Sequence, residues 1–91
     1  MKSTTSADVR LFLMDHLRQK LEADGRRLPE DLPQDCDLLL TGILNSLGLL
    51  QLVAALTAHF DREINFDALD PEQMTIVGPL CNFVAEELNR N

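Results

Sequence analysis

The chain has 91 residues, room for a single domain, and its eight Lys/Arg against fifteen Asp/Glu leave a net charge of −7. That sign argues against duplex nucleic acid and against binding on an anionic membrane surface, which favour clustered basic side chains. Leu supplies 18 residues, Val and Ile together seven, and Trp and Tyr are absent, a bias toward helix over strand that predicts an all-α fold.

Residues 1–5 are polar and expected to fray. Ser6 reads as an N-cap, with Asp8 in the first turn to complement the helix dipole. A first helix is expected from Ala7 to Asp24, because Val9, Phe12, Leu13, His16 and Leu17 recur at helical spacing. Gly25 supplies the stop. Residues 25–45 form a long first loop, in which Pro29 and Pro33 prevent a regular helix. Leu28, Leu32, Leu38 and Leu40 are spaced along it as if to pin it across the bundle.

A second helix is expected from Ser46 to Phe60. At 100° per residue, Leu49, Leu52, Val53, Leu56 and Phe60 share one side, the core stripe. Leu47, Leu50, Ala54 and Ala58 fall on the other. A domain this small has little material to bury a second apolar face, so that face reads as a docking surface. Asp61-Arg62-Glu63 breaks the run. Asp67 to Pro71 reads as one short turn of helix. Thr75 is a good N-cap for a last helix from Ile76 to about Asn89, with Gly78 and Pro79 in its first turn and Ile76, Leu80, Phe83 and Val84 facing inward.

Cys36 and Cys81 are too few for a disulfide scaffold and are expected as free thiols in the cytoplasm. The apolar stretch Leu11–Met14 is far too short for a signal peptide. His16 and His59 lack companions at metal-ligand spacing. The segment from Leu38 to Phe60 carries no charge and is long enough to span a bilayer. It reads otherwise, because Asn45, Ser46, Gly48 and Gln51 interrupt it and acids, Asp37 and Asp61, flank both ends.

The polar pair Asn45-Ser46 stands between two apolar runs, at the mouth of the two-faced helix. Either residue suits an N-cap. A nucleophilic serine needs a base and an orienting group, and the sequence has no GxSxG elbow, Walker loop or GxGxxG. A serine at a helix N-terminus has another use. Free N–H groups and the helix dipole favour an anion there, so it suits a phosphodiester made by a separate enzyme.

The segment Gly42-Ile43-Leu44-Asn45-Ser46-Leu47-Gly48-Leu49-Leu50-Gln51-Leu52 resembles the modification motif of acyl carrier proteins and peptidyl carrier domains. His59-Phe60, Ile64, Pro71 and Thr75-Ile76-Val77 look like the downstream pattern of that family. The likeness covers about residues 6–89. It implies a bundle of three main helices plus one short helix, monomeric and not an enzyme. It implies 4′-phosphopantetheine on Ser46, transferred from coenzyme A by a magnesium-dependent phosphopantetheinyl transferase. The arm's thiol would hold an acyl or aminoacyl group as a thioester. A loading ligase and a downstream acyltransferase or synthase would be the partners. Asn45, Leu47, Leu50, Gln51, Ala54 and Ile64 match the family's partner-docking positions.

The sequence departs from the family twice. Asn45 stands where Asp is usual, and Ser46–Phe60 lacks the acids that carriers of primary fatty-acid synthesis present on this helix. A specialised stand-alone carrier is therefore expected, with the motif closest to D-alanyl and other aminoacyl carriers. The rival reading is an unmodified helical interaction module that binds a partner through Leu47, Leu50 and Ala54.

Overall fold

The computed structural model describes residues 4–90. They form α1 (Ser6–Ala23), α2 (Ser46–Phe60), a single 3-10 turn (Phe66–Ala68), α3 (Pro71–Met74) and α4 (Val77–Leu88). The architecture is all-α. The sole extended pairing among the described residues is an isolated antiparallel bridge between Asp37 and Ile76.

The start of α1 differs from the expected one by one residue. Thr5, not Ser6, is the N-cap. Its hydroxyl accepts from the Asp8 N–H at 3.2 Å, and the Asp8 carboxylate accepts from the Thr5 N–H at 2.9 Å. That reciprocal box needs the acid three residues after the cap, a spacing Thr5 has and Ser6 lacks. Thr4 is also tied down, since its N–H donates to Asn89 Oδ1 at 3.2 Å and its carbonyl accepts from Asn89 Nδ2 at 2.7 Å. Thr4 and Thr5, in the stretch expected to fray, thus have hydrogen-bond partners, and positions 1–3 lie outside the described residues. At the other end Gly25 takes φ +74°, and the Arg26 N–H closes back on the Leu21 carbonyl at 2.7 Å. This left-handed stop suits glycine.

α1 and α2 run antiparallel. Lys20 near the end of α1 meets Gln51 near the start of α2, while Phe12 meets His59 and Phe60 at the far end. α4 packs along α1, and α3 leads into α4. Val9, Leu13 and Leu17 of α1, Leu52 and Leu56 of α2, and Val77, Leu80 and Val84 of α4 are wholly buried between them.

The long loop completes this core. Leu32, Leu38, Ile43 and Leu44 are buried. Leu40 is not a pin, as it is 86% exposed. The Asp37 carboxylate accepts from the N–H groups of Leu39 and Leu40, and the Thr41 hydroxyl donates to the Asp37 carbonyl, which closes a tight turn with Leu40 on its outside. These bonds, the Leu40 N–H above all, hold the Asp37 carboxyl below the usual carboxylate range.

The last helix also starts differently from expectation. Its cap is Ile76, which offers no side-chain acceptor. The loop supplies the acceptors instead. The Val77 N–H donates to the Cys36 carbonyl at 3.0 Å and the Gly78 N–H to the Gln34 carbonyl at 2.8 Å, while the Leu38 N–H donates to the Thr75 carbonyl at 2.8 Å. Thr75 therefore ends α3 and is buried. The single short turn expected over Asp67 to Pro71 is two: a 3-10 turn at Phe66–Ala68, then α3, which Asp70 caps through the Glu72 N–H and Pro71 opens at its first position. Within the expected core, Phe12, Val53, Phe60, Ile76 and Phe83 lie at the margin, half-buried. Leu21, Cys81, Ala85 and Leu88 are buried as well.

Gly78 is required by space. A β-carbon there would sit 2.9 Å from the Gln34 carbonyl oxygen and 2.6 Å from its side-chain oxygen. In an open helix Gly→Ala gains up to ~1 kcal/mol. Here Gly78→Ala should instead lower the midpoint of urea unfolding, because the loop carbonyl that caps α4 must move.

Candidate functional site

Ser46 is the first residue of α2 and is exposed. The chain reaches it through Gly42, whose φ of +76° turns the backbone between the buried Leu38 and the buried pair Ile43-Leu44. That anchored pair holds the entry to α2 in place.

Asn45, not Ser46, is the N-cap. Its side-chain oxygen accepts from the Gly48 N–H at 2.7 Å, and its carbonyl accepts from the Leu49 N–H at 2.9 Å. The Ser46 hydroxyl is thus not needed to end the helix. Asn45→Ala should cost about 0.5–2 kcal/mol in a urea titration, whereas Asn45→Asp keeps the acceptor and should gain about 0.3–1 kcal/mol from the dipole at low salt.

The two faces of α2 separate clearly. Leu49, Leu52 and Leu56 are buried, while Leu47 and Leu50 are 63% and 66% exposed. Gln51 and Ala54 are exposed beside them. Ile64 does not join this surface. It is 7% exposed, part of the core. Arg62 donates to the carbonyls of Leu88 and Arg90, and the Asn65 N–H donates to Glu87, so the segment between them is drawn against α4.

The chain finds no significant match among protein-family models, curated proteins or solved structures.

Two basic residues reach this end of the molecule. Lys20 donates from α1 to the Gln51 side-chain oxygen, and its stem runs beside Gly48, where a β-carbon would lie 3.2 Å from Lys20 Cε. Arg26 donates to the Gly42 carbonyl at 2.8 Å. Neither was singled out from the sequence. The antiparallel pairing of α1 with α2 brings them to Gly42, Gly48 and Gln51, on either side of Ser46 in sequence, and no local pattern carries that information.

The histidines lie at the opposite end. His59 stacks on Phe12 with ring centroids 4.1 Å apart, and His16 lies 6.1 Å from the same ring. Along α2, His59 is about 20 Å from Ser46 at 1.5 Å per residue. Burial, helped by the Lys20 ammonium and opposed by Asp15, holds the His16 imidazole below its ordinary pKa of 6.5, and its Nε2 is buried without a hydrogen-bond partner. Protonation would place an unpaired charge there. The unfolded chain binds that proton first, so the contribution of His16 is fully present above about pH 6.5 and declines as pH falls through the folded value. The urea midpoint should drop between pH 7 and pH 5 more in the wild type than in His16→Gln.

Cys36 and Cys81 are free and buried. Burial pushes the Cys81 thiol up to about 11, against a smaller opposing effect of Arg10. Among the described residues no group of three His, Cys, Asp or Glu side chains is placed to hold a metal ion, and no helix is long and apolar enough to cross a membrane.

Proposed function

We propose that this chain is a carrier protein that holds an acyl or aminoacyl intermediate as a thioester on a 4′-phosphopantetheine arm at Ser46. The observation that carries the reading is an exposed serine at the first position of α2, beside a cap that does not use it. A phosphodiester on Ser46 would sit at the positive end of α2, where helix N–H groups and the dipole favour an anion. Serine and surroundings therefore fit the group. When attached, the arm supplies a thiol that accepts the cargo. The chain's own part is to hold Ser46 in the open and to present Leu47, Leu50, Gln51 and Ala54 to partner enzymes.

The fold supports the same reading. Three main helices, a short α3 and a long, pinned first loop are what the acyl-carrier resemblance implies. The absence of acids from α2 supports a specialised pathway over primary fatty-acid synthesis. In the carrier's reaction order, a transferase loads the arm, a ligase loads the cargo and an acyltransferase or synthase removes it. The rival reading, an unmodified interaction module, draws on the exposed Leu47 and Leu50, which need no serine to bind a partner.

The test is intact mass after incubation with coenzyme A and a broad-specificity phosphopantetheinyl transferase. A gain of one phosphopantetheine supports the carrier. An unchanged mass in both the wild type and Asn45→Asp favours the interaction module.

A further inference from the structure

The charge around the exposed face of α2 identifies the kind of partner that fits it. Four of the eight basic residues, Arg18, Lys20, Arg26 and Arg27, lie within residues 18–27, at the end of α1 that runs beside the start of α2. Glu22 and Asp24 interrupt them but leave the segment positive.

The ion pairs sharpen this. Arg10 is paired with Asp31, Arg18 with Asp15 and Arg90 with Glu87. Lys20 and Arg26 instead donate to neutral acceptors, the Gln51 amide oxygen and the Gly42 carbonyl. Such bonds fix the side chains without cancelling their charge. Among the described residues neither Lys20 nor Arg26 makes an ion pair; Asp37 keeps its charge while accepting from the N–H groups of Leu39 and Leu40, and Asp61 lies at the opposite end of α2. α2 itself carries no acid. A chain of net charge −7 thus holds two cations, neither in an ion pair, at the entry to α2, the end of the helix that carries Leu47 and Leu50.

We infer that the surface docking on Leu47 and Leu50 is apolar and edged with carboxylates, Lys20 and Arg26 being the complementary pair. A partner with a basic rim would meet like charge there, which costs affinity and association rate. The inference rests on the reading of α2 as the docking face, and it is independent of whether Ser46 is modified.

The probes are two synthetic amphipathic helical peptides with one shared leucine face, one edged with Glu and one with Lys. Binding to the full chain is followed by fluorescence anisotropy. The Glu-edged peptide should bind about tenfold tighter at low ionic strength, with the preference fading above roughly 0.15 M salt. Lys20→Glu with Arg26→Glu should reverse the preference, and Leu47→Ser with Leu50→Ser should abolish binding of both peptides. If the charge reversal disturbs the fold by circular dichroism, Lys20→Gln with Arg26→Gln should still erase the preference. Equal binding, a preference for the Lys-edged peptide, or no binding of either would overturn the inference. Ser46→Ala should leave the preference unchanged, so failure here is distinct from failure of Ser46 to accept phosphopantetheine.

Discussion

Leu52→Ala and Leu56→Ala should each destabilise the chain by roughly 2–5 kcal/mol, measured as a fall in the urea midpoint at constant slope. Both side chains are wholly buried, on the stripe of α2 that faces the interior. Truncation removes the transfer energy of the lost methyl groups and leaves a void lined by neighbours that relax only in part. A domain of this size has about 5–10 kcal/mol in total, so either change brings it close to unfolding. Leu50→Ala is the control on the same helix. Leu50 is 66% exposed, and its loss should change stability by less than about 0.5 kcal/mol. A Leu52→Ala protein with the wild-type midpoint would contradict the core assignment.

Ser46→Ala should abolish modification completely while leaving the fold unchanged. The loss is total because the hydroxyl oxygen is the atom that would bear the phosphodiester. The fold is retained because Asn45 makes the capping bond and Ser46 is exposed. A structural cap at Ser46 would give the opposite pattern, with a lower midpoint in the mutant. Circular dichroism and the urea midpoint, read beside the mass of the modified protein, separate the two.

The extent to which the sequence foretold this arrangement depends on how local each signal is. α2 lies where its pattern put it, because Asn45 and Asp61, a cap and a left-handed stop, bound one long apolar run. Its two faces also follow from helical periodicity, since Leu52 and Leu56 turn inward and Leu47 and Leu50 outward. The start of α4 was less legible. Thr75 has the chemistry of a cap, but carbonyls of residues 34 and 36 perform that task across about forty residues of chain. Ile64 shows the same limit. An isolated apolar residue between polar neighbours has no period to assign it a side, and Arg62, Asn65 and Glu87 decide that it faces inward. Leu40 went the other way, turned outward by the hydrogen bonds of Asp37.

At the candidate site, the exposed serine and its apolar flank are readable from residues 42–52 alone. The charge beside them is not. Lys20 and Arg26 lie more than fifteen residues earlier, and they reach Gln51 and Gly42 only because α1 folds back along α2. A charge census of α2 by itself describes a neutral helix, whereas the fold sets Lys20 and Arg26 against the residues around its start.

The carrier reading is tested most directly by the intact mass of the purified chain after incubation with coenzyme A and phosphopantetheinyl transferase, followed by peptide mapping. The account predicts a gain of one phosphopantetheine on the peptide containing Ser46 in the wild type and none in Ser46→Ala. A chain that stays unmodified, in the wild type and in Asn45→Asp alike, or one that gains the group at another residue, would contradict it.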